Sequence, residues 1–142
     1  MNNEFQIWLE QNGLTEAFTT SAGDALYVNR DKKFGVLRKH GEYGVHSFYL
    51  DDIIEFKTYD DENPVAEWSA YHDANWRLYE RSTRFSTNEV YVNLRLRNQL
   101  VLKIQLFVGT TGNIRRDSYN HVNLYNYACQ ISHLLYNLAN GI

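Results

Sequence analysis

The chain of 142 residues holds one cysteine, one proline and one methionine. With Cys129 alone there can be no internal disulfide framework and no cysteine-based zinc site, and the chain suits a reducing compartment. Nowhere do eighteen apolar residues follow one another, and the start, Met1-Asn2-Asn3-Glu4, has no basic segment leading into an apolar run. Neither a membrane span nor a secretion signal is expected, and the cytoplasm is the expected location. A phosphate loop, a dinucleotide fingerprint and a glycine-flanked serine elbow are all missing, and Gly35, Gly41 and Gly44 fall in a hairpin, where turn geometry explains them. A formal charge of −3 disfavours nucleic acid as a partner, because that affinity comes mainly from neutralising phosphates.

What is present is enough to fold. A hydrophobic fraction of 44% and an aromatic fraction of 15% exclude a disordered chain. A length near the commonest domain size predicts a single domain over residues 1–142. The net charge conceals a division. Asp51 to Glu67 carries seven acids against Lys57 alone, a formal −6, whereas Arg77 to Arg116 carries eight bases against Glu80 and Glu89, a formal +6. Such a split can steer a charged partner or join two copies end to end, and it can equally be two segments that neutralise each other within one fold.

Periodicity sets the expected elements. Asn3 to Gly13 reads as a short helix with Phe5, Trp8 and Leu9 on one face and Gly13 as its stop. Thr19 to Asp24 reads as a loop, followed by short strands at Ala25–Val28, Phe34–Lys39, Val45–Leu50 and Ile53–Tyr59, the last closed by a turn at Asp60–Pro64. Val65 to Glu89 fits helix and strand equally. Val90–Arg97 and Leu100–Val108 alternate cleanly, with Val92, Leu94 and Leu96 on one side and Asn93, Arg95 and Arg97 on the other, which predicts a hairpin with one wet face. A helix from about Ser118 to Asn140 carries Leu124, Ala128, Ile131, Leu135 and Leu138 at spacings of four and three. That stripe suits packing on the chain's own sheet better than a seam between copies, so a homo-oligomer is the secondary expectation. The sum is an α+β fold: a curved antiparallel sheet or partly open barrel of about six or seven strands, a short N-terminal helix and a long C-terminal one.

This order resembles bacterial and phage pleckstrin-homology-like domains, the kind that often carry a short C-terminal oligomerisation tail. The likeness rests on Phe48-Tyr49-Leu50-Asp51-Asp52-Ile53-Ile54-Glu55-Phe56, on Val92 through Leu106, and on Ser118-Tyr119 with Ala128-Cys129-Gln130-Ile131, spanning roughly residues 34–138 as pattern and not identity. A cysteine-rich ribbon and a separate tail after the long helix are lacking. The resemblance implies a scaffold for binding and carries over no catalytic residue.

Candidate chemistry is sparse. No two of the five histidines have the spacing of an established metal motif, and His121 and His133 stand more than three helical turns apart. His72-Asp73 with Ser69 or Ser86 would serve a small hydrolase, though no nucleophile motif accompanies them. Asp60-Asp61-Glu62 lacks the spaced ligands of a calcium loop. Two candidate binding groups stand out. Trp68, Tyr71, Trp76 and Tyr79 lie among Arg77, Arg81 and Arg84, a mixture favoured at protein interfaces, with core packing of the tryptophans as the alternative. The acids Asp51, Asp52, Asp60, Asp61 and Glu62 would instead suit a small inhibitor, such as an immunity or phage counter-defence protein, seated on a basic nuclease groove. The sequence therefore predicts a non-enzymatic protein-binding domain without catalytic residues, metal or cofactor, with the inhibitor and the His72 hydrolase as the other readings.

Overall fold

The computed structural model describes residues 3–71, 76–110 and 112–142. The fold is α+β, built on antiparallel sheets, with helix α1 (Asn3–Gln11) at one end of the chain and α2 (Tyr119–Ala139) at the other. Among the described residues there are eleven strands, more than the six or seven expected, and none of the sheets closes into a barrel. Strands β1 (Thr15–Thr19), β2 (Ala25–Asn29), β3 (Phe34–Arg38) and β4 (His46–Tyr49) form a four-stranded meander. Strands β5 (Ile53–Asp60), β6 (Asn63–Ser69), β7 (Trp76–Leu78), β9 (Glu89–Leu96) and β10 (Val101–Val108) make a second sheet in the order β10-β9-β5-β6-β7. Short strands β8 (Ser86–Thr87) and β11 (Ile114–Arg115) pair with each other. Of the additional strands, β1 falls mostly on residues 14–18, to which the sequence reading assigns no element, and the others lie where the sequence reads as loop, turn or ambiguous segment. Of these, β6 carries Pro64 opposite Tyr59 beside a register shift, the irregular kind of position to which proline is confined within sheets.

The two central strands of the four-stranded sheet, β2 and β3, are buried on both faces, whereas β1 and β4 are largely exposed. Ala25, Tyr27 and Val36 pack with Leu9 and Leu14 under α1, while Leu26, Val28 and Leu37 face the main core. That core continues through Phe56, Val92, Leu94, Ile104 and Leu106 of the second sheet to Ala128, Ile131, Leu135 and Leu138 of α2. The helical stripe read from the sequence is thus the lid of the chain's own sheet. One polar pair crosses this interface: the Thr58 and Ser132 hydroxyls are 2.7 Å apart, and Ser132 donates to the Ala128 carbonyl 2.7 Å away, so both buried hydroxyls are satisfied. Helix α2 starts at Ser118, whose hydroxyl accepts the His121 N–H at 3.2 Å, and ends before Gly141, which takes the left-handed φ of +69°. No helix of the described residues is long and apolar enough to cross a membrane.

A latch joins the sheets. The edge of β10 is covered by the β1–β2 loop: Thr20 and Ser21 donate to the carbonyls of Gln105 (2.6 Å) and Leu106 (2.7 Å), and buried Asp24 accepts the Gln105 N–H at 2.8 Å. Asp24 also accepts from the His40 N–H (2.8 Å) and pairs with Lys39, which in turn donates to the Lys103 carbonyl (2.6 Å). Edge groups that would otherwise template a foreign strand are occupied.

Ile131 is 5% exposed and faces this core, so Ile131→Asp would place an unpaired charge there. The expected product is an unfolded chain by circular dichroism; a folded protein that merely changes oligomeric state by light scattering would contradict the packing.

Candidate functional site

Parity along β5 decides where its acids go. Phe56, Thr58 and Asp60 alternate on the inner face, so the carboxylate of Asp60 is driven inward at the end of the strand. It meets Arg116, which precedes the cap of α2. Arg116 Nε and Nη2 donate to the two Asp60 oxygens at 3.2 and 3.1 Å, and Nη2 also reaches Asp61 at 3.1 Å. Thr87 donates to Asp60 at 2.7 Å. His121, 1% exposed, has its Nε2 2.8 Å from Asp60 and its Nδ1 3.0 Å from Nη1 of Arg81. A guanidinium can only donate, so Nδ1 accepts and Nε2 carries the proton toward Asp60. Arg81 further donates to the Arg116 carbonyl (2.6 Å), and Arg116 Nη1 donates to the Arg84 carbonyl (3.0 Å). Burial would raise the pKa of Asp60, but the hydrogen bonds from Arg116, Thr87 and His121 outweigh it and hold the carboxyl below the usual range.

An aspartate–histidine pair of this kind is the raw material of a general base, yet both imidazole nitrogens are engaged and the ring is enclosed. With Asp60, Asp61, Arg81 and Arg116 the cluster is formally neutral. It ties β5, β8, the segment before α2 and the helix itself together, and Asp61, at φ +51°, extends it by accepting the N–H groups of Asn88 (3.1 Å) and Glu89 (3.0 Å).

The face of the five-stranded sheet turned away from α2 is the second arrangement. Register places Arg77, Glu67, Lys57, Asn93 and Lys103 in one row across the strands, Glu55, Arg95 and Val101 in a second, and Tyr59, Tyr91 and Gln105 in a third. Opposite charges therefore stand directly opposite one another, as in Glu67 against both Arg77 and Lys57, and Glu55 against Arg95. The Tyr59 and Tyr91 rings are 5.5 Å apart, Lys103 Nζ lies 4.4 Å over Tyr91, Arg77 stacks 4.5 Å over Tyr79, and the Tyr79 hydroxyl donates to Glu67 at 2.7 Å. Burial, then the charge of Glu89, raises the Tyr91 phenol, and the bond to Glu67 raises Tyr79, so both remain donors at neutral pH. A shallow depression between Glu55, Lys57, Tyr59, Asn93, Arg95 and Val101 lies on this face.

The residues singled out in the sequence are dispersed by the fold. Trp68 is 4% exposed and stacks on Phe56 in the core; its indole N–H has no acceptor among the described residues, and the ring meets Tyr136 edge-on at 6.3 Å. Trp76 is half-buried beside it, against Tyr136 (5.2 Å), Phe56 (5.9 Å) and His133 (6.0 Å). Both tryptophans are thus packed on the core, contrary to a single displayed aromatic patch. Arg77 and Tyr79 reach the outer face, Tyr71 is exposed and accepts from Arg97 at 3.4 Å, Arg81 enters the buried cluster, and Arg84 is exposed. The acidic group is divided as well. Asp60 and Asp61 belong to Arg116, Asp51 pairs with Lys33 (3.4 Å) and Asp52 with Arg97 (3.5 Å), and Glu62 is exposed. His72 and Asp73 lie outside the described residues; Ser69 ends β6 and Ser86 begins β8. Tyr59, Tyr91 and Lys103 carry no site assignment in the sequence reading, and Arg95 enters it only as a residue on the wet side of its strand, although the outward parity of β9 and β10 is the signal that marks Tyr91, Arg95 and Lys103.

Neither a protein-family model, nor a curated protein, nor a solved structure matches the chain.

Removing Arg116 while Asp60 stays would strand a buried charge, so Arg116→Met is expected to cost about 3–5 kcal/mol in urea titrations. Because the folded pKa of Asp60 is depressed, its contribution is present above the unfolded value of about 3.9 and is lost as pH falls through the folded one. Stability measured from pH 7 down to pH 2 should fall on the acid side, and Asp60→Asn should flatten that limb while lowering stability throughout. An unchanged limb would assign acid lability to other carboxylates.

Proposed function

We propose that this chain is a non-enzymatic protein-binding domain and that its binding surface is the outer face of the five-stranded sheet. The observation that carries the reading is the set of half-exposed tyrosines, Tyr59, Tyr79 and Tyr91, stacked with one another or with Lys103 and Arg77 on the outer face of the sheet. Tyrosine and arginine are favoured at interfaces because rigid rings contribute area at small entropic cost and guanidinium groups add directional bonds. The buried histidine supports the same reading from the other side, since its two nitrogens are spent on Asp60 and Arg81. The resemblance to pleckstrin-homology-like domains implies the same kind of role, a scaffold for binding.

In the three-dimensional arrangement the acidic and basic segments face each other, through Asp60 and Asp61 with Arg116, Asp52 with Arg97, and Glu67 with Arg77. An inhibitor acting through a displayed acidic stretch draws little support from this, and a contact made by stacked rings fits better.

The test is a comparative capture. Tyr59→Ser with Tyr91→Ser, and separately Arg77→Glu, should leave the melting temperature within a few degrees of the parent, because these side chains lie on the wet face. Both variants should lose a stoichiometric protein that the parent retains at high salt. Asn126→Lys, on the exposed side of α2, should keep it. Retention of the partner by both face variants would sink the assignment of this surface.

A further inference from the structure

We infer that Phe85, with the Arg84 guanidinium against it, is a pre-positioned anchor that inserts into an apolar, acid-rimmed pocket of a partner protein. The inference rests on the reading of the chain as a protein-binding domain and adds a contact which that reading does not contain.

Phe85 is 79% exposed and has φ +68°. A bulky L residue in the left-handed region is disfavoured by contact of its Cβ with the backbone, and glycine or asparagine is the usual solution there. Nothing is recovered by burial, since the ring stands in solvent. The conformation is nevertheless held from two sides by one residue. The Phe85 carbonyl accepts the Arg116 N–H at 2.9 Å, and the Arg84 carbonyl accepts from Arg116 Nη1 at 3.0 Å. Arg116 is itself locked by Asp60 and Asp61, and the next residue, Ser86, is paired with Arg115. A buried, ion-paired arginine therefore fixes the backbone beneath an exposed ring. An outlier so over-determined points to use of the side chain it displays, and a ring displayed on an immobilised backbone loses little further freedom on binding.

The chemistry of the partner follows from the neighbours. The Arg84 guanidinium lies 5.4 Å from the centre of the Phe85 ring, and no carboxylate pairs with it among the described residues. Arg115, exposed across from Ser86, is held by Asp117 through contacts of 3.1 and 2.8 Å. The tip is thus an aromatic ring beside a guanidinium that no described carboxylate neutralises, complementary to an apolar pocket with acids at its rim. One phenyl ring buries too little area for lasting attachment to a bilayer, which disfavours a lipid surface.

The experiment places p-benzoylphenylalanine at position 85 of the full chain, irradiates the cells that make it, and maps the adduct. A protein adduct on an apolar segment flanked by Asp or Glu is expected, with a yield at least about tenfold lower when Arg84→Glu is added. With that protein purified, Phe85→Gly should weaken its affinity about thirtyfold or more, the loss of a hot spot, while the melting temperature stays the same or rises because glycine relieves the φ. A merely structural Phe85 would give the opposite, a lower melting temperature. That result would overturn the inference, as would adducts confined to a second copy of this chain, no adduct above background, or binding to phosphatidylserine vesicles that Phe85→Gly abolishes. If the sheet-face variants lose a partner while position 85 gives no adduct, the protein-binding reading stands and this contact falls.

Discussion

Asp60 and Arg116 stand fifty-six positions apart in the sequence, and the pairing of their side chains is the constraint around which the second half of the chain is arranged. A buried carboxylate of this kind is tolerable only with its oxygens filled, and here Arg116, Thr87 and His121 fill them. Because each donor comes from a different part of the chain, satisfying one carboxylate sets the position of β8, of the segment before α2 and of the first turn of the helix. Replacing such a pair by apolar residues of equal size is often neutral or stabilising, so its retention is better understood as geometry than as strength. The bidentate guanidinium fixes a direction that a methionine or leucine would leave loose.

The same pairing explains what becomes of the charge division. A −6 segment and a +6 segment along the sequence suggest a dipolar surface, but strand pairing and the Arg116 cluster bring them into register. What remains on the outer sheet face is mixed charge, with Glu67 between Arg77 and Lys57 and Glu55 opposite Arg95, beside a row that holds Tyr59 and Tyr91.

Much of this fold was legible where a single period ran long enough. The hairpin of β9 and β10 and the stripe on α2 were readable because eight and twenty-one residues repeat one pattern against one core. Strands β7, β8 and β11, of two or three residues, were not, being too short to show alternation, and β1 went unread although β2 and β3, of the same length, were legible. Asp60 carried a readable clue, sharing the parity of Phe56 and Thr58, but an acid next to another acid and a glycine-poor turn reads first as a solvated loop. The dispersal of Trp68, Arg77, Arg81 and Arg84 to core, face, cluster and tip could not be read at all, because it depends on long-range pairing and not on local pattern.

The latch at Asp24 has a consequence for the order of events on the ribosome. Residues 20–40 leave the exit tunnel long before residue 105, so the cap for the edge of β10 is synthesised ahead of the strand that needs it. Once β10 emerges, its first competitor for the open edge is a loop already tethered to the same molecule at high effective concentration, and a neighbouring nascent chain arrives second.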